Sequence, residues 1–123
     1  MGTDAPRTNR VPLSAYLKRG NHIYVSGQVP FDADGKLVGG DIGDQTEQVI
    51  DNLERVLNEA GASLADVVKT TVYLSDVKRD FAGMNETYAR RFGTNLPTRS
   101  TVGAELAIDA LIEVEAIAVV DGE

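Results

Sequence analysis

The segment ALIEVEAIAVV, residues 110–120, constrains this chain most, because it is apolar on both of the faces that a strand presents. Successive side chains of a strand point to opposite sides. Ile112, Val114, Ala116, Ala118 and Val120 therefore share one face, and Leu111, Glu113, Glu115, Ile117 and Val119 share the other. A sheet built around such a strand needs cover on both sides. Other extended segments are available to pair with it. HIYVSG (22–27) alternates Ile23 and Val25 against His22, Tyr24 and Ser26. DVVKTTVYLSD (66–76) sets Val68, Thr70, Val72 and Leu74 against Val67, Lys69, Thr71 and Tyr73, and is rich in β-branched residues. TRSTVGAEL (98–106) and a short first strand around Tyr16, Leu17 and Lys18 complete the set.

Two amphipathic helices supply cover for one face. Val49, Ile50, Leu53, Val56, Leu57 and Ala60 recur at spacings of three and four and form one apolar stripe. Asp44 with Glu47 reads as a capping box at its start, and Gly61 as the left-handed residue that ends it. A second helix is expected over residues 77–92, with Phe81, Met84, Tyr88 and Phe92 as core residues and Gly93 just past the end. The order strand, helix, strand, helix, strand, strand predicts an α+β fold, a sheet with two helices on one face. The second face, with Tyr24, Thr71, Tyr73, Leu111, Glu113, Glu115, Ile117 and Val119, has no helix left to cover it. Another copy of the chain is the expected cover; the alternative is a monomer whose long loop around residues 30–43 folds over it. Residues 13–123 make a single domain, and residues 1–12, with two Pro, two Arg and no apolar period, suit a mobile arm.

Bulk properties narrow the functions. The 123 residues, 42% hydrophobic and 25% charged, match one globular domain. A net charge of −7 argues against a general nucleic-acid or anionic-membrane partner. With no cysteine there is no disulfide, thiol nucleophile or thiolate metal site, and either redox compartment is permitted. The opening MGTDAPRTNRVP lacks an apolar run of signal-peptide length, and no stretch approaches the roughly 20 apolar residues of a membrane span. A cytoplasmic location is expected.

Few residues are placed to do chemistry. Arg99 is the only basic residue among the last 32 and lies on an extended segment, so its guanidinium needs a partner. Its planar fork matches a carboxylate through two parallel hydrogen bonds. That partner is either a small-molecule acid or an ion pair with Glu113, Glu115 or an acid of a neighbouring subunit. Glu113 and Glu115, two apart on a strand, face the same way. They either share a polar pocket, where a partly desolvated carboxylate orients water, or sit at the rim of the sheet. No second histidine or carboxylate cluster completes a metal site. His22, the sole histidine, reads as a surface strand residue, since no GxSxG elbow accompanies it. The glycines of LVGGDIG fit no phosphate fingerprint.

GNHIYVSGQVP (20–30), GDIGDQTEQVIDNLERVLNEAGASLADVVKTTVYLSD (40–76), NETYARRF (85–92), PTRS (97–100) and IEVEAIAV (112–119) together closely resemble the RidA/YjgF family, in order and with near-family spacing from Pro12 onward. The resemblance implies a chorismate-mutase-like α+β fold and a homotrimer with sites in the clefts between subunits. It implies hydrolysis of enamine or imine intermediates of the 2-aminoacrylate type, or bulkier imino acids, to 2-oxo acids and ammonia without a cofactor. By the same resemblance Arg99 takes the carboxylate-binding position and Glu113 that of the glutamate that places water. Ser26 and Gly27 match the strand end whose backbone lines the pocket, and Asn85 falls in a motif that a neighbouring chain contributes. Two positions depart from the family pattern. Leu13 stands where a pocket tyrosine is usual, so that Tyr16 is not its replacement, and Thr101 stands where many members have cysteine.

The departures at Leu13 and Thr101 feed an alternative, an oligomer that binds small carboxylic acids or acts as a chaperone without turnover. An endoribonuclease activity, sometimes attached to the family, finds little in an acidic chain without paired histidines or metal ligands.

Overall fold

Five strands and two helices follow one another along the chain where the hydrophobic periods change: β1 (Tyr16–Arg19), β2 (His22–Gln28), α1 (Ile42–Glu59), β3 (Val67–Leu74), α2 (Val77–Phe92), β4 (Thr98–Gly103) and β5 (Ile112–Val119). A 3₁₀ turn, Leu64–Asp66, leads into β3. The structure, a computed structural model, describes residues 11–121; of the arm expected over residues 1–12, only Val11 and Pro12 fall within them.

The strands form one sheet in the order β1-β2-β5-β3-β4. Neighbours run antiparallel except β3 and β4, which are parallel and are joined through α2. The doubly apolar strand, β5, lies at the centre, as its composition demands. Its residues Ile112, Val114, Ala116 and Ala118 are buried beneath the helices, together with Ile23, Val25, Val72 and Leu74. Val49, Ile50, Leu53, Val56 and Leu57 of α1 and Met84, Tyr88 and Phe92 of α2 close the same core. Fully burying one such aliphatic side chain contributes about 1.5–3 kcal/mol, so a stripe of this length suffices to dock α1. The α+β architecture with both helices on one face is the one expected.

Three local expectations are corrected. The capping box of α1 is formed by Asp41 and Asp44, not Asp44 and Glu47: the Asp44 N–H donates to Asp41 Oδ1 and the Asp41 N–H to Asp44 Oδ2. Glu47 lies deeper in the helix and is engaged by Arg90 and Arg91 of α2. In β3 a register shift between Val67 and Lys69 turns Val67 inward and Val68 outward, reversing the faces read for these two residues. An extra residue in one strand of a pair has this effect on side-chain direction. Phe81, read as core, is 43% exposed, because it lies at the edge of α2 beside Arg99 rather than under the sheet.

The loop after β2 settles what covers the open face within one chain. Asn52 of α1 donates to the carbonyls of Val29 and Phe31, and Gln45 to that of Val38. The loop is thereby tied to α1, on the helical side. The face carrying Tyr24, Thr71, Tyr73, Glu113, Glu115, Ile117 and Val119 has no cover among the described residues.

Candidate functional site

The residues singled out from the sequence fall into two groups on opposite sides of the sheet. Arg99 stands beside Thr70 in the parallel pairing of β4 with β3. Thr70 is fully buried under α2, so Arg99 belongs to the helical side. Its guanidinium carbon lies 4.9 Å from the centroid of the Tyr88 ring and 5.7 Å from that of Phe81. Nη1 points at the Met84 sulfur, 3.8 Å away. Among the described residues no carboxylate pairs with it, so the ion pair with Glu113 or Glu115 is absent within the chain. Contact with two aromatic faces stabilises the cation by about 0.5–2 kcal/mol, and the weak Met84 sulfur is the acceptor that its donor edge meets.

A recess of about 310 Å³ opens beside it, lined by Asn85, Tyr88, Ala89, Leu96, Pro97 and Arg99. Its walls are mostly apolar. Thr101, registered with the buried Val72, lies on the same side as Arg99. Thr101 Oγ1 and Asn85 Oδ1 are buried without a hydrogen-bond partner among the described residues. Burial raises the proton affinity of the Tyr88 hydroxyl, against the opposing effects of its bond to Thr70 and the charge of Arg99.

Glu113 belongs to the other side. It pairs with Tyr73 across β5 and β3, on the face without helices. Burial first, and the neighbouring charge of Glu115 second, push its carboxyl above the usual glutamate value. Against it lies Gly27, at an irregularity in which the pairing of β2 with β5 slips between Val25 and Gln28. A bulge of this kind re-aims a strand end, and here it brings backbone rather than a side chain up to the carboxylate. The Ser26 hydroxyl donates to the Ser14 carbonyl at 2.6 Å, and the Ser26 N–H to that of Ala15. This fixes the segment that follows Leu13, whose side chain is 38% exposed. Glu115, by contrast, is exposed and accepts from the Tyr73 hydroxyl at 3.4 Å. It borders a recess with Tyr24, Lys69, Thr71 and Ile117 that Glu113 does not line, although the two glutamates share the face and the charge of Glu115 acts on Glu113.

The chain thus brings Glu113, Gly27 and Ser26 together, and separately Arg99, Thr101 and Asn85, but not one group with the other. Strand β3 stands between β5 and β4, and the two groups face opposite ways. His22 is exposed and stacks on Tyr24, as a surface strand residue would. Periodicity alone missed the surroundings of Arg99: Phe81, Met84 and Tyr88 carry a helical spacing that reads simply as core. The one signal pointing to them was Thr70, a polar residue on the inner face of a strand.

The family model for Endoribonuclease L-PSP matches residues 3–120. A RutC family protein of Pyrococcus abyssi is 53% identical over 109 residues, which span 87% of this chain and 85% of that protein. A protein of Arabidopsis thaliana named Reactive Intermediate Deaminase A, chloroplastic, is 41% identical over 109 residues, 87% of this chain and 58% of its own length. The crystal structure of the YjgF gene product of E. coli superposes with a TM-score of 0.85 at 38% identity, covering 94% of this chain and 92% of that one. A match along nearly the whole chain, in sequence and in three dimensions, makes the protein a member of the RidA/YjgF family.

Proposed function

We propose that this protein hydrolyses reactive imino acids, or their enamine tautomers, to 2-oxo acids and ammonia, in clefts formed between copies of the chain in a homotrimer. The observation that carries the reading is the Arg99 guanidinium, ordered by aromatic faces yet without a protein carboxylate on its donor edge. Such a group suits the carboxylate of a 2-imino acid. Glu113 supplies the second requirement, a carboxylate whose raised proton affinity matches the handling of water and its proton. Water adds to the imine carbon, the C–N bond breaks, and ammonia leaves with the oxygen retained as the ketone. No redox step or cofactor enters this balance. Because Arg99 and Glu113 face opposite ways in one chain, the site is complete only where the helical edge of one copy meets the open face of another. Ser26 and Gly27 then contribute backbone beside Glu113, Leu13 borders that half, and Asn85 and Thr101 accompany Arg99. The name of the Arabidopsis relative supports the reaction class. A cytoplasmic location belongs to the same proposal.

The test is ammonia or 2-oxo acid release from freshly generated 2-iminopropanoate and bulkier imino acids. Arg99→Ala is expected to lower kcat/KM by roughly 30- to 1000-fold, equivalent to the loss of about 2–4 kcal/mol from a charged bidentate contact. An unchanged rate removes the clamp from the reaction. The departures at Leu13 and Thr101 favour a second reading, a binder of small carboxylic acids without turnover. Thermal stabilisation by 2-oxo acids, with no acceleration for any imine, selects it.

A further inference from the structure

A guanidinium that receives an external carboxylate has to be held still without losing its own N–H edge. A protein carboxylate would order it but would occupy the two parallel donors. Arg99 is held differently: the Tyr88 and Phe81 rings lie 4.9 and 5.7 Å from its central carbon, Nη1 is directed at the Met84 sulfur at 3.8 Å, and no protein carboxylate among the described residues takes its parallel donors. Of the two rings only Tyr88 is rigidly seated. It is buried, it lies 4.5 Å from the Phe92 ring, and its hydroxyl is 2.7 Å from that of the buried Thr70. Thr70 and Arg99 are direct neighbours in the pairing of β3 with β4. The brace and the ion therefore start from adjacent backbone positions and meet at the same ring.

We infer that Tyr88, locked by its hydrogen bond to Thr70, is the positioning residue that fixes the direction of the Arg99 fork. The inference rests on the reading of Arg99 as a carboxylate clamp. Tyr88 acts through Arg99: the ring sets where the guanidinium plane lies, and Thr70 sets where the ring lies. Phe81, the second ring beside the ion, is 43% exposed and has no such lock.

The experiment uses the full-length protein and two readouts: ¹⁵N relaxation of the Arg99 Nε–Hε group, and the affinity for 2-oxobutanoate as the carboxylate probe. Tyr88→Leu removes the ring and is expected to mobilise Arg99 and to weaken 2-oxobutanoate binding about tenfold. Tyr88→Phe and Thr70→Val keep the ring and lose the lock; each is expected to weaken binding about two- to threefold, and the double variant no more than either alone. Substantial rescue by Phe relative to Leu is the sign of positioning rather than of general core damage. Arg99 relaxation unchanged in Tyr88→Phe and Thr70→Val overturns the inference, even where Tyr88→Leu fails to fold. Equal affinity of wild type and Arg99→Ala for 2-oxobutanoate instead overturns the clamp reading, and the relaxation measurement still decides the role of Tyr88.

Discussion

The carboxylate of Glu113 occupies the space that a side chain at position 27 would need: a Cβ built on Gly27 would overlap Oε2 and come within 2.9 Å of Cδ. Gly27 has no other obligation to be glycine, since it is not among the glycines with positive φ. Its small size is a condition for the position of Glu113. Gly27→Ala is therefore expected to push the carboxylate aside and reduce kcat for imine hydrolysis by tenfold or more, in line with the roughly 100-fold sensitivity of catalysis to displacements of about 1 Å. Steady-state kinetics beside a melting curve checks this. A full rate in a folded Gly27→Ala protein detaches Glu113 from the reaction.

The raised proton affinity of Glu113 also has a sign in stability. The folded chain holds a proton that the unfolded chain releases near the ordinary value of 4.5. The associated stability is fully present below that value and is lost as pH rises through the folded one. At neutral pH the ionised, half-buried carboxylate is a net cost, which Glu113→Gln removes. The variant is expected to melt above wild type at about pH 7 and to converge with it at about pH 4. Parallel melting temperatures across the range would contradict the shift.

The separation of Arg99 and Glu113 on opposite faces leads to a complementation test. Arg99→Ala and Glu113→Gln are each expected to be strongly impaired. Unfolded together and refolded in equal amounts, they are expected to form clefts in which one chain supplies an intact Arg99 and its neighbour an intact Glu113. In a cyclic oligomer with random mixing this holds for about a quarter of the sites, so about a quarter of the wild-type rate is expected. No recovery in a mixed oligomer places both groups in one chain's site.

Arg91 joins the two helices. Its side chain, 18% exposed, reaches Glu47 at 2.7 Å, Asp51 at 2.9 Å and Glu54 at 3.3 Å, and Arg90 adds a contact to Glu47 at 2.6 Å. Solvated ion pairs contribute little singly, but a network around one restrained cation contributes more. Arg91→Met is expected to cost about 1 kcal/mol, on the order of 5 °C in melting temperature. The deficit should shrink when melting is repeated in high salt.

The sequence disclosed the fold through periods long enough to be unambiguous. The stripe from Val49 to Ala60 and the alternation from Ile112 to Ala118 each match their buried faces residue by residue. What stayed hidden was set by single-residue events. The irregularity after Val67 exchanged two side chains between faces, and the cap of α1 moved three residues because Asp41 and Asp44 satisfy each other directly. The site was legible as residue types but not as geometry. Nothing in the spacing of Arg99 and Glu113 says that strand pairing will turn them away from each other, because β4 and β5 do not pair with one another and each takes its register from β3. Phe81, Met84 and Tyr88 carry the period of a core stripe whether their neighbour is a leucine or a guanidinium.

The two amide donors of Asn52 have a practical use. They fasten the carbonyls of Val29 and Phe31 to α1, at the base of the small reversal that Phe31 and Leu37 close. Its tip at Asp34 and Gly35 is exposed. A fluorophore or affinity handle grafted there would sit on a loop tied to the helical side rather than on the bare sheet. Subunit exchange then becomes visible by energy transfer between labelled copies without disturbing the surfaces that exchange.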